Sequence, residues 1–105
     1  MKVDEYLHHK NHNIKPDAES FGSKIYIKKA GRYRINGQQF IGSSDSDTNE
    51  IIIDPRQNGK EFLQTAIHEK LHLIHPEYSE TKIRIEARKL GHLIWSLGYR
   101  KVNLK

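Results

Sequence analysis

The spacing of apolar residues changes along the chain and divides it into three parts. Residues 1–22 are polar and predict an N-terminal arm, either loose or with a short helix over Val3 to His9. The next part alternates apolar and polar residues in three segments, KIYIKKA, RYRINGQQFIG and NEIIIDP, as is typical of strands. Because Asn36-Gly37 favours a two-residue hairpin turn, these segments predict an antiparallel meander. The stretch SSDSDTN, residues 43–49, predicts a loop, since its side chains compete with ladder hydrogen bonds.

After residue 55 the apolar residues recur at helical spacing. Asn58 and Glu61 have the form of a capping box, and the apolar positions that follow predict a helix from about Gly59 to His75. Pro76 predicts the end of this helix, because proline cannot continue the hydrogen-bonding pattern.

A second helix is predicted between Ser79, a residue suited to an N-cap, and Gly98, which is suited to ending a helix. Its apolar positions form a stripe with steps of three and four residues: Ile83, Ala87, Leu90, Ile94 and Leu97. The short connection predicts an antiparallel helix pair. The fold class predicted is therefore α+β, with a small antiparallel sheet of about three strands packed on an antiparallel pair of helices.

Composition limits the classes of protein that fit this pattern. The chain has 105 residues, enough for one domain, and 35% of them are hydrophobic. It has no apolar run long enough to cross a membrane, no cysteine and no apolar segment typical of a secretory signal, so we expect a monomeric cytoplasmic protein with no membrane partner. The net charge of +5 is compatible with an acidic partner or nucleic acid, but spread-out basic residues are typical of solvated surface.

The sequence His68-Glu69-Lys70-Leu71-His72 is an HExxH motif inside the first predicted helix. Residues four apart lie one turn above the other, which lets two imidazoles reach one zinc ion. Glu69 points to a neighbouring side, where it can accept a proton from an activated water. Roughly 0.03 accidental matches are expected in a chain of this composition. The motif therefore predicts a zinc site with Glu69 as general base; the alternative is a pair of histidines bonded to Glu69 or Glu80.

Zinc needs a third protein ligand and an open position. His75 lies near the same face but a full turn beyond the metal, which favours a place at the rim. The second helix offers Glu80 and Glu86. Spacing alone slightly favours Glu86, which lies level with the histidines in a symmetric helix pair, whereas Glu80 lies nearer the turn.

The stretch from Ile51 to Tyr99 resembles small HExxH zinc metallopeptidase-like (zincin) proteins of bacteria and phages, similar to the ImmA/IrrE-type group. The shared features are the apolar strand IIIDP, the segment TAIHEKLH and a signature of glutamate, aliphatic residue and alanine, matched by Glu80, Ile83 and Ala87. The resemblance implies that Glu80 is the third zinc ligand, with Glu86 as the alternative. The link from His72 to Glu80 is shorter than is usual in that group.

The same resemblance implies a single zincin-like metallopeptidase domain over residues 23–105 that hydrolyses a peptide or protein substrate. In it, the strand Ile51 to Ile53 is expected at a sheet edge beside the metal-binding helix, where an extended peptide could add to the sheet. His75 and Tyr78 are the nearest candidates to stabilise the oxyanion of the transition state.

Two other functions remain open from the sequence. The first is a zinc-stabilised binding module without turnover, in keeping with the small size of the chain. The second, less favoured, is a basic nucleic-acid-binding protein in which Lys and Arg contact phosphates and Tyr26 or Tyr33 stacks on bases. We expect Tyr26, Phe40, Phe62 and Trp95 to be core or core-edge aromatics instead, and His92 to be an ordinary surface histidine.

Overall fold

The structure, a computed structural model, describes residues 15–28 and 42–101 and the backbone of 34–35 and 38–39. The strands are β1 (Ala18–Ser20), β2 (Ser23–Ile27), β3 (Arg34–Ile35), β4 (Gln38–Gln39), β5 (Gly42–Asp45) and β6 (Glu50–Ile53), and the helices are α1 (Gly59–Ile74) and α2 (Glu80–Ser96). Four strands form a sheet in the order β1-β2-β6-β5, and β3 pairs with β4. The predicted α+β class, with a small sheet packed on a helix pair, is confirmed.

The sheet is mixed, so the prediction of an antiparallel meander with about three strands is wrong in its topology. β2 runs parallel to β6, whereas β1 with β2 and β5 with β6 are antiparallel pairs. β6 lies between two strands because its isoleucines are buried on both sheet faces, as is typical of interior strands. The separate β3–β4 pair spans the predicted Asn36-Gly37 turn, which itself lies outside the described residues.

The polar stretch 43–49, which was predicted to be a loop, is a strand in its first part and a turn only in its second part. Its first residues belong to β5, which pairs with β6 in a register that places Asp45 opposite Glu50. The chain turns through 46–49, where the Asp45 side chain accepts a hydrogen bond from the Asp47 amide at 2.9 Å. Pairing with the apolar strand β6 therefore overrides the low strand propensity of Ser and Asp.

The predicted polar arm also contributes to the sheet. β1 lies within residues 1–22 and pairs with β2 through a tight turn at Phe21 and Gly22, whose φ angles are 48° and 84°. Two successive positive φ angles are typical of the hairpin turn that matches strand twist. Residues 1–14, including the short helix predicted over 3–9, lie outside the described residues.

Both helices begin and end near the predicted residues. The Asn58 side chain accepts from the Glu61 amide at 2.8 Å, which completes a capping box at the start of α1. Ser79 accepts from the Lys82 amide at 3.1 Å at the start of α2. α2 is followed by Gly98 in the left-handed region, with φ of 93°. Within the described ranges, neither helix combines the length and hydrophobicity that a bilayer span requires.

α1 packs on β5 and β6 with one side and on α2 with the other. The buried positions of α2 are Ile83, Ala87 and Gly91, whereas Leu90 and Leu97 of the predicted stripe are 40% and 66% exposed. A Cβ atom on Gly91 would lie 2.7 Å from Gln64 Cγ of α1, so the helices approach most closely through small residues. The contact therefore follows a row of every fourth residue and passes beside the leucines.

Candidate metal centre

Two histidines of α1 present their ring nitrogens to the same point. His68 and His72 lie one turn apart on the helix, and their Nε2 atoms are 3.2 Å apart. Both side chains are partly exposed, as a site that exchanges ligands with solvent requires. The HExxH spacing therefore brings the two ring nitrogens together, as the sequence predicts.

The third group of the cluster comes from the first residue of α2. Glu80 Oε1 lies 2.8 Å from His68 Nε2, and Glu80 Oε2 lies 2.9 Å from His72 Nε2. Glu86, six residues further along, lies on a different side of the helix and is not part of this group. A symmetric helix hairpin would place Glu86 level with the histidines; the short turn before Glu80 instead places the start of α2 beside the second histidine.

The donor set matches the coordination chemistry of a divalent transition metal. The three ligand atoms lie within 4.8 Å of one another, and the contacts of the two histidine nitrogens with each other and with the Glu80 oxygens are 2.8–3.2 Å. Two atoms bound to a tetrahedral zinc at about 2.0–2.1 Å are about 3.3 Å apart. Two imidazole nitrogens with one carboxylate oxygen are ligands that zinc accepts. The group of His68, His72 and Glu80 can therefore hold a metal ion with small adjustments of its side chains.

The protonation state of His68 suits a ligand. Burial lowers the pKa of His68, and the positive charge of Arg84 and the neighbouring His72 act in the same direction. The carboxylate of Glu80 opposes this by raising the pKa, but burial is the largest influence. His68 therefore stays neutral, the form that binds metal, to a lower pH than an exposed histidine.

Glu69 occupies a different environment from the three grouped side chains. It is only 9% exposed, and it accepts a hydrogen bond from Ser44 Oγ at 2.9 Å. The pKa of Glu69 is raised to about 7, mainly by burial; the Ser44 hydrogen bond acts to lower it, and the charge of Glu80 contributes to the rise. A carboxyl with such a pKa can take up and release a proton near neutral pH.

Strand β5 reaches Glu69 because its first residue is glycine. A Cβ atom on Gly42 would lie 2.6 Å from Thr65 Cγ2 and 3.3 Å from Glu69 Oε2, so a larger residue would push the strand away from α1. Neither Gly42 nor Ser44 is among the predicted site residues: Gly42 ends the predicted strand segment RYRINGQQFIG, and Ser44 lies in the stretch 43–49 that was predicted to be a loop. The only sequence signal for the pair was the Gly-Ser-Ser step at the end of that strand segment.

The sheet edge beside the site is also different from the expected one. Ile51–Ile53 belongs to the interior strand β6, so the expectation that it forms the edge is wrong. Among the described strands, β5 is the edge strand next to α1. A cleft of about 440 Å³ opens between β5, α1 and the start of α2. It is lined by the three grouped side chains, Glu69, Leu73, Pro76 and the serines Ser43, Ser44 and Ser46.

His75 and Tyr78, the expected oxyanion-stabilising candidates, do not line this cleft. Their rings stack on each other with centroids 4.2 Å apart, and His75 Nδ1 lies 3.1 Å from Glu77 Oε2. Lys82 Nζ lies 4.1 Å from the centroid of the Tyr78 ring. These contacts stabilise the turn between the helices and leave neither side chain facing the cleft.

The aromatic residues named in the sequence are placed mainly as expected. Tyr26 is 1% exposed and donates a hydrogen bond to Glu50 at 3.1 Å, so it is a core residue and cannot stack on a base. Phe62 and Trp95 are half-buried, His92 is exposed, and Tyr33 and Phe40 lie outside the described residues.

Comparison with protein family models, with curated proteins and with solved structures found no match. The resemblance to ImmA/IrrE-type peptidases therefore stays a prediction.

Proposed function

We propose that this protein is a zinc-dependent metallopeptidase. The observation that carries the proposal is the meeting of His68, His72 and Glu80 at one point of an open cleft, with the carboxyl of Glu69 lining the same cleft. If His68 and His72 served only as ion-pair partners of Glu80, they would not require the buried carboxyl of Glu69 beside them. The combination of ligand set and acid is the one that metal-assisted hydrolysis needs.

His68, His72 and Glu80 would hold a zinc ion, which would supply Lewis acidity to polarise a substrate carbonyl and to lower the pKa of a nearby water. Glu69 would accept a proton from this water as its oxygen bonds to the carbonyl carbon, and would return the proton to the amine nitrogen as the carbon–nitrogen bond breaks. Ser44 fixes the orientation of Glu69 through its hydrogen bond. Strand β5 offers an edge along which an extended peptide can lie beside the cleft.

The proposal is tested by comparing metal content with hydrolysis of a broad peptide library. Glu69→Gln should retain zinc and lose hydrolysis, because the amide keeps the shape of the side chain but cannot carry the proton. Glu86→Gln is the matched control, since it makes the same change on α2 outside the group. Hydrolysis that persists in Glu69→Gln would reject the mechanism. Bound zinc with no hydrolysis by the unaltered protein would favour the binding module instead.

A further inference from the structure

A second groove begins at the metal centre and runs between the two helices. His68, which lines the cleft, also lines a depression of about 330 Å³ together with Arg84 and Arg88 of α2. This depression shares Gln64 and Arg88 with a further one of about 490 Å³, whose other lining residues are Lys60, Lys89 and His92. We refer to the two depressions together as the basic furrow, defined by Arg84, Arg88, Lys60, Lys89 and His92.

The charges of the basic furrow are not neutralised from within the described part of the chain. No ion pair within residues 15–28 and 42–101 involves Lys60, Arg84, Arg88 or Lys89; the arginine that does pair is Arg56, with Asp54. Arg84 and Arg88 are exposed, as are Lys89 and His92. One acidic residue, Glu61, lies on the wall. An anionic ligand would therefore meet positive charge along the length of the furrow.

The spacing of the two arginines suits an extended polypeptide. Glu80, Arg84 and Arg88 follow one another at four-residue steps, so each lies about 6 Å further along the helix. In an extended chain, side chains on one side recur every second residue, at about 6.6–6.8 Å. Carboxylates at alternate residues of an extended peptide would therefore meet Arg84 and Arg88 in turn, starting from the metal centre.

We propose that the basic furrow binds an acidic segment of the polypeptide substrate, with carboxylates at alternate positions paired to Arg84 and Arg88. This inference rests on the proposed peptidase function, because it takes the ligand to be the chain that the metal centre cleaves. Two observations favour a polypeptide over nucleic acid. The furrow meets the cleft at His68, and no Phe, Tyr or Trp side chain of the described residues lines it for base stacking.

The test measures the binding of fluorescent peptides to Glu69→Gln by anisotropy at low ionic strength. A peptide with glutamates at alternate positions should bind about tenfold tighter than the same peptide with glutamines, and the difference should shrink as salt is added. Arg84→Glu and Arg88→Glu should each weaken binding of the acidic peptide about five- to tenfold. Lys28→Glu, an equal change of charge on an exposed residue outside the furrow, should change it less than about twofold.

Conservative variants separate charge from folding. Arg84→Lys and Arg88→Lys should keep most of the affinity, since they keep the positive charge, and circular dichroism should show native helix content in all variants. Equal affinity for the glutamate and glutamine peptides would overturn the inference even if the protein hydrolyses both. Binding of duplex DNA that depends on Arg88, with no preference for acidic peptide, would overturn it in favour of nucleic acid. Arg88-dependent binding of acidic peptide by a protein without hydrolysis would support the furrow and reject the peptidase.

Discussion

The two halves of the candidate site are held in different ways. His68, His72 and Glu80 take their positions from α1, the short turn and the first residue of α2, and all three side chains are partly exposed. Glu69 also lies on α1, but its burial and its hydrogen bond depend on strand β5, which packs on α1 through Gly42 and is distant in sequence. Metal binding should therefore tolerate damage to β5, whereas the environment of Glu69 should not.

The largest effect on zinc affinity is expected when one of the three grouped side chains, His68, His72 or Glu80, is removed. His72→Ala leaves one histidine and one carboxylate as ligands. Changing a residue that only orients a metal ligand lowers affinity about 10–100-fold, so removing a ligand should lower zinc affinity more than about 100-fold. His92→Ala removes an exposed histidine of α2 and should leave the affinity unchanged. Competition with a chromophoric chelator measures both constants. Similar affinities for the two variants would place the metal elsewhere.

The buried Glu69 should make the metal-free protein less stable as the pH rises. The pKa of Glu69 is raised to about 7, so its folded form holds the proton more tightly than the unfolded chain does. The stabilising contribution is complete below the ordinary pKa of a glutamate and is lost as pH rises through about 7. Glu69→Gln should therefore be about 2–3 kcal/mol more stable than the unaltered protein at pH 8, and equally stable near pH 4.

Urea unfolding in the presence of a chelator, repeated across this pH range, measures the difference. A constant gap between the two proteins at every pH would show that the carboxyl of Glu69 does not titrate with folding. A stability difference that grows toward low pH would contradict the raised pKa of Glu69, which predicts growth toward high pH.

Gly42→Ala tests the close approach of β5. The added methyl would lie 2.6 Å from Thr65 Cγ2, so we expect a loss of about 1–3 kcal/mol in the free energy of unfolding. Zinc affinity should stay within about threefold, since the three ligand side chains belong to α1 and α2 and not to this strand. Thr65→Ser removes the clashing methyl and keeps the hydroxyl bonded to Gln57, so it should restore most of the loss. If it restores nothing, the clash is not the cause.

Ser44→Ala should have the smallest effect on stability, about 1 kcal/mol, because it removes one hydrogen bond to a buried group. It should lower kcat while zinc affinity is unchanged. Ser46→Ala is the control, since Ser46 lines the cleft but is exposed. Equal kinetics for the two serine variants would show that Ser44 does not position Glu69.

The same contrast explains what could be predicted from the sequence. Helix limits follow from local signals such as Asn58 and Ser79, and HExxH spacing brings the two histidines together by helix geometry alone. The position of Glu80 depends on the shape of a turn, so spacing favoured Glu86, whereas the family resemblance favoured Glu80, which the structure brings to the histidines. Strand β5 was missed because Ser43 and Ser44 have a turn-forming tendency, which hairpin pairing with the apolar strand β6 outweighs.

The metal content of the purified protein tests the central claim most directly. Protein prepared without added metal should carry one zinc per chain by elemental analysis. Glu80→Gln should lose it and Glu86→Gln should keep it. Equal zinc content in the two glutamate variants, or no bound metal in any of the three proteins, would contradict the account.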